Sequence, residues 1–233
     1  MRGMERFAVI GVGHFGEHVM KILHEAGKEV IAVDADEEKV QAAAECSSLA
    51  IMVDATDKTA LREAGIGDVD VAIISLGDHM DRSTLAALHV KELGVPFIAV
   101  KAISEDHGKI LHALGVQHIV HPEKDAAVRL GNRLAMKNVL DYMPLLPGYS
   151  ITEMPAPPEF VGRTLRDLAL RNTLRVQLIA IYQQNGGRRQ MNIVPRADDV
   201  IHEGDILILL GETHDLERVT SIVHNAPDQA RIR

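Results

Sequence analysis

Gly11, Gly13 and Gly16 stand at G-x-G-x-x-G spacing within FAVIGVGHFG, and the apolar run VIAVD that follows closes on Asp34. In that pattern the first glycine allows a tight turn, the second lets backbone approach a phosphate closely, and the third permits close helix packing. A phosphate would sit against the exposed N–H groups and positive dipole end of the helix that begins there. Asp34, at the end of the next strand, lies where a carboxylate accepts hydrogen bonds from a ribose diol. The chemistry is therefore recognition of an adenine nucleotide. A glycine turn that binds nothing is the alternative, and the strand before, the helix after and the acid on the next strand weigh against it.

The elements around this motif alternate. Residues 14–25 place Phe15, Val19, Ile22 and Leu23 on one helical face, and Gly27 supplies a left-handed stop. EVIAVD, LAIMVDAT, DVAIISLG, VPFIAVKA and QHIVHPEKD read as later strands, separated by helices at Asp36 towards Cys46, 57–64, 79–93 and 105–114. Their cores are apolar almost throughout, as in strands covered on both faces. The fold class is α/β, a Rossmann-like doubly wound parallel sheet with a second, smaller α+β domain. Ligands of such sheets lie beyond the carboxyl ends of the strands, which supply Asp34, Asp54, Ala55, Thr56, Ser75, Leu76, Gly77 and Lys101.

A further helix is predicted from about Glu123 to Leu140, and the proline-bearing stretch YMPLLPGYS follows it. The domain boundary is placed near Met143, giving 1–143 and 144–233. In the second part GRTLRDLALRN reads as a short helix, RVQLIAIYQQ and RRQMNIV as a hairpin about NGG, DVIHEGDILILLG as a strand pair, and THDLERVTSIV as a closing helix.

Composition and absent motifs exclude several classes. A chain of 233 residues is long enough for one large or two modest domains. The net charge of −8 without a basic cluster leaves a nucleic acid no electrostatic footprint. No apolar run reaches the ~20 residues of a membrane span. The single Cys46 precludes an internal disulfide and suits a reducing compartment. The apolar segment near the N-terminus runs straight into the glycine turn, unlike a cleavable signal, so a cytoplasmic protein is expected. None of Tyr142, Tyr149 and Tyr182 has a lysine four residues later, and no GxSxG, P-loop or HExxH occurs. His107 and His112 are poorly spaced for one helix face. A small NAD(H)-dependent oxidoreductase or NAD(H) sensor remains the alternative, because Asp34 suits that ribose equally, but no proton-transfer group is recognisable and no enzyme activity is expected.

FAVIGVGHFG, AVDADEEKV, VDATD, STLAALHVKELG, VKA and HPEKD, in this order, resemble the N-terminal regulator-of-potassium-conductance domain of Ktr and Trk potassium uptake systems. GRTLRDLALR, VQLIAIY, Pro195 and VIHEGDILILLG resemble the C-terminal domain of the same subunits. The resemblance covers nearly the whole chain. It implies a nucleotide-binding gating subunit: homodimers assembled into an octameric ring, docked on the inner face of a potassium-translocating membrane subunit, with ATP and ADP favouring different ring shapes.

Carried onto this chain, the resemblance implies that Gly11, Gly13 and Gly16, with His14 and Phe15 between them, hold phosphates. Asp34 and Ala35 take the ribose, Asp54, Ala55 and Thr56 the adenine side, and Leu76 and Gly77 line the cleft. Lys101 meets phosphate charge or is a solvated strand-end lysine. Glu123 matches a position associated with a divalent cation, or is a helix-start carboxylate. His14 stands where such chains often carry arginine. Histidine is charged only near or below pH ~6.5, so a weaker, pH-dependent preference for ATP over ADP is expected. Some relatives bind cyclic di-AMP through the C-terminal domain; the matching positions are Asn172, Arg175, Ile179, Ile193 and Pro195, of which the isoleucines could equally be core.

Overall fold

A computed structural model of the chain describes residues 4–136, 139–185 and 188–222. Two compact units divide it, Met1–Pro122 and Glu123–Arg233.

The first unit is a six-stranded parallel sheet. Its strands are β1 (Arg6–Ile10), β2 (Glu29–Asp34), β3 (Leu49–Met52), β4 (Val71–Ile74), β5 (Phe97–Lys101) and β6 (His118–Val120), in the order β3-β2-β1-β4-β5-β6. The connecting helices are α1 (His14–Glu25), α2 (Glu37–Ala43), α3 (Lys58–Glu63), α4 (Met80–Glu92) and α5 (Glu105–Ala113). The strand order reverses between β1 and β4, and there the carboxyl ends part to leave a crevice. Ala8, Ile10, Val33, Ile74 and Val100 are buried on one face and Val9, Val30 and Ala32 on the other, so the central strands are apolar on both faces because both faces are covered, while Leu49 and Met52 of the edge strand β3 stay exposed. Burying one such isoleucine stabilises the fold by roughly 1.5–3 kcal/mol. The helices begin where their caps dictate: Asp36 accepts from the Glu38 N–H, Asp57 from those of Thr59 and Ala60, and Ser104 from that of His107.

The second unit holds α6 (Pro122–Ala135) and a five-stranded antiparallel sheet. Its strands are β7 (Asp141–Leu146), β8 (Tyr149–Pro155), β9 (Gln177–Asn185), β10 (Arg188–Asn192) and β11 (Ile206–Glu212), in the order β10-β9-β11-β8-β7. Two four-residue helices, α7 (Leu165–Leu168) and α8 (Leu170–Thr173), and a last helix, α9 (Thr213–Ile222), complete it. Met154, Ile181, Ile201, Leu207, Leu209 and Val219 form its core.

This half departs from expectation in four places. The helix expected to reach Leu140 ends at Ala135, and YMPLLPGYS is the hairpin of β7 and β8 rather than a connector, so Met143 lies inside a strand. GRTLRDLALRN forms two helices, because Ala169 takes the left-handed φ of 44° and breaks the run. DVIHEGDILILLG supplies one strand, its first part making only the isolated Thr164–Val200 bridge. β9 and β10 pair as the predicted hairpin, the two glycines of its turn lying outside the described residues.

Candidate functional site

The glycine turn is built by two contacts that only glycine permits. Gly11 has φ of 93°, and a Cβ on it would lie 2.2 Å from the Ser75 carbonyl oxygen. A Cβ on Gly16 would lie 2.0 Å from the Gly11 carbonyl oxygen. Both glycines are therefore explained by packing. Gly13 is not: its φ of −79° suits any residue, and among the described residues nothing lies within 4 Å of a Cβ built there. Its missing side chain leaves backbone facing open space.

That space is a cleft of about 770 Å³ at the carboxyl ends of the strands. Gly11, Gly13, Asp34, Ala35, Ala55, Leu76 and Gly77 line it, together with Asp36, Lys39, Val53, Ser75, Asp78, His79 and Arg82. Asp34 joins two of its walls, its Oδ2 accepting the Val12 N–H at 2.8 Å and its Oδ1 the Asp36 N–H at 3.0 Å. Each oxygen keeps acceptor capacity for a hydroxyl donor. The helices that open onto the cleft, α1 and α4, have no side-chain cap, since Gly13 and His79 form no such bond. Their first N–H groups, unlike those of α2, α3 and α5, are left for other acceptors.

On the far rim Asp54 binds the Thr56 N–H at 2.9 Å, the Thr56 hydroxyl at 2.7 Å and the Arg82 guanidinium at 2.9 Å. The Thr56 hydrogen bonds, with Arg82 adding charge, pull the Asp54 carboxyl down to about 2. It stays ionised at every physiological pH.

Seven of the expected binding residues thus meet around one cleft. The others stand apart from its lining. His14 is exposed at the start of α1, Phe15 packs into the core, and Gly16 is buried beneath the turn. Asp54 and Thr56 flank the lining residue Ala55, Lys101 ends β5, and Glu123 lies in the first turn of α6, in the second unit. Asp36, Lys39, Asp78, His79 and Arg82 escaped the sequence reading because they follow the strand ends. Asp36 and Lys39 follow β2, and Asp78, His79 and Arg82 follow β4, the strands on either side of β1.

In the second unit Asn172 and Pro195 line a pocket of about 430 Å³, with Arg166, Arg171 and Gln177. Arg175, at a left-handed φ of 60°, lines a neighbouring pocket of about 370 Å³ with Leu145, Leu146 and Tyr149. Ile179 is half-buried and lines neither, and Ile193 is 64% exposed, which rules out a core role for it. Among the described residues no group of three or more His, Cys, Asp or Glu is arranged to hold a metal ion. No helix among them is long and apolar enough to cross a membrane.

Comparison with known proteins places these observations. The TrkA-N domain model matches residues 7–122 and the TrkA-C domain model residues 151–224. The chain is 40% identical over 214 residues to the Ktr system potassium uptake protein C of Bacillus subtilis (strain 168), covering 92% of this chain and 95% of that protein. It is 37% identical, over the same shares of both chains, to the Ktr system potassium uptake protein A of that organism. The crystal structure of the GsuK RCK domain matches it with a TM-score of 0.66 at 18% identity, over 97% of this chain and 49% of that one, a likeness of fold. With the glycine turn, Asp34 and the switch-point cleft in the first of two such domains, the chain belongs to the TrkA-N/TrkA-C family of Ktr-type potassium uptake proteins.

Proposed function

We propose that the chain is the cytosolic gating subunit of a Ktr-type potassium transporter and works by binding an adenine nucleotide rather than by turning one over. The observation that carries the nucleotide is Gly13. It has neither a positive φ nor a neighbour to avoid, and it opens on a cleft with two uncapped helix starts and the Asp34 carboxylate. Phosphates fit at Gly11 and Gly13, the ribose at Asp34 and the base beyond it, between Val53, Ala55 and Leu76. The same cleft suits the adenosine half of NAD(H), which is the competing ligand. Identity along nearly the whole length of two Ktr proteins supports the transport role.

Gating needs only a ligand that binds one state of the assembly better than another. A 20-fold difference in affinity between two states supplies about 1.8 kcal/mol per site. In our reading homodimers form an octameric ring on the inner face of the potassium-translocating partner, so that several sites act together. Glu123 is proposed to help hold a divalent cation, and the pocket with Asn172 and Pro195 to take cyclic di-AMP with Arg175 beside it.

The test is potassium flux through the purified membrane partner in liposomes, with and without this subunit, under ATP, ADP and NADH. Flux that depends on the subunit and differs between nucleotides supports the proposal. Flux indifferent to the subunit, or NADH oxidation with pooled substrates, would refute it.

A further inference from the structure

Arg82 is the planar cation of the cleft. It stands in the first turn of α4, lines the cleft, and is tied by one hydrogen bond to Asp54 across the rim. Among the described residues Asp54 is its one hydrogen-bond partner, bound through Nη2, so its other guanidinium N–H groups make no hydrogen bond there, and the side chain is 37% exposed. Lys58 and Glu92, 2.6 Å apart, join α3 to α4 independently of this pair. Lys39, the other cation of the lining, lies on α2 beside Asp36 and is a compact, strongly hydrated point charge.

The places of phosphate and ribose leave a definite position for the base. Gly11 and Gly13 follow β1, Asp34 ends β2, and β3 lies beyond β2 in the sheet. The lining groups not used by phosphate or ribose include the apolar Val53, Ala55 and Leu76, and Arg82 is bound to the residue between Val53 and Ala55. The geometry points to Arg82 as the base-selecting residue of the nucleotide cleft, its guanidinium plane held by Asp54 against the face of a purine. This rests on the proposed nucleotide site and goes beyond it by naming the side chain that distinguishes a two-ring from a one-ring base. Arginine suits the role because its delocalised plane stacks on aromatic faces while its edge stays hydrogen-bonded to a carboxylate. Asp54, ionised throughout the physiological range, keeps that edge anchored.

The experiment is calorimetric titration of ADP and UDP into the nucleotide-stripped full chain, as wild type, Arg82→Ala and Arg82→Lys. The two ligands share ribose and diphosphate and differ in the base. Stacking of one base supports about a tenfold effect. Arg82→Ala is therefore expected to weaken ADP about tenfold and UDP by about twofold or less, and Arg82→Lys, which keeps charge but not the plane, to behave like the alanine variant. Equal weakening of ADP and UDP that lysine restores would make Arg82 a phosphate contact and overturn the inference. So would unchanged ADP affinity in both variants. A wild-type chain that binds neither nucleotide removes the proposed site itself, and this inference with it. A wild type that binds while both variants lose ADP selectivity sustains both. Thermal unfolding of the ligand-free variants, expected within a few degrees of wild type for a half-exposed side chain, separates lost recognition from lost fold.

Discussion

Gly11→Ala and Gly13→Ala, two identical changes two residues apart, should have opposite consequences. At Gly11 the new methyl group requires a left-handed backbone, costing about 1–2 kcal/mol. It also meets the Ser75 carbonyl oxygen at 2.2 Å, in the pairing of β1 with β4. That oxygen is buried backbone and cannot swing aside, so overpacking adds roughly 1–3 kcal/mol. The total, on the order of 2–5 kcal/mol, lowers the melting temperature by roughly 4–20 °C. At Gly13 the methyl enters open space from an ordinary φ, and ligand-free stability should fall by no more than about 1 kcal/mol, the preference of an N-cap for glycine over alanine. The cost there falls on the ligand. A methyl where phosphate approaches backbone should weaken ADP at least about tenfold. In the presence of ADP at 100 times the wild-type Kd, wild type gains about 2.7 kcal/mol of stability, and a variant ten times weaker gains roughly half that. Thermal unfolding of both variants with and without ADP measures all four quantities. A Gly13→Ala chain that keeps the full wild-type shift, or a Gly11→Ala chain as stable as wild type, refutes the assignment of packing to one glycine and recognition to the other.

Three further outcomes follow from individual residues. Buried His107 accepts the Ile103 N–H through Nδ1 while its Nε2 has no hydrogen-bond partner among the described residues, and burial, then His121, lowers its pKa from 6.5. Its contribution to stability is therefore intact above pH 6.5 and lost as pH falls through that value, where the unfolded chain takes up a proton that the folded chain resists; His107→Gln should flatten the decline in melting temperature between pH 7 and pH 5, and parallel profiles would contradict this. With the proposed phosphate site at the start of α1, His14→Arg, which places a permanent bidentate cation there, should raise the ratio of ATP to ADP affinity; calorimetry giving the same ratio in wild type and variant speaks against it. In the second unit Thr164 caps α7 in a reciprocal box with Asp167. Thr164→Ala should cost about 1 kcal/mol in chemical denaturation and leave ADP affinity unchanged.

The first unit was legible because its strands are apolar without interruption and its helices start at Asp36, Asp57 and Ser104, residues that cap by their chemistry. The hairpin of β7 and β8 hid for the opposite reason. β8 turns Ser150, Thr152 and Met154 inward, all fully buried, while Ile151 is only half-buried, so hydropathy marks the wrong face. The break at Ala169 was equally invisible, since alanine is the best helix former and only tertiary packing sets its left-handed φ. Within the cleft, the motif glycines and the acid ending β2 announced themselves, whereas Arg82 carries no motif. Its place depends on α4 packing beside α3, which periodicity does not encode. Phe15, given a phosphate role by the resemblance and a packed face by its helical spacing, is half-buried and packs against the core.

Calorimetric titration of ADP into the stripped chain, beside Asp34→Ala, bears most directly on the claim that the switch-point cleft holds an adenine nucleotide. Asp34 is the one side chain that both joins the glycine turn to the end of β2 and offers oxygens to a ribose. One ADP per chain in the wild type, weakened at least about tenfold, or 1.4 kcal/mol, in the variant, is the predicted result. No heat from ADP, ATP or NADH with the wild type, or equal affinity in the two proteins, would contradict it.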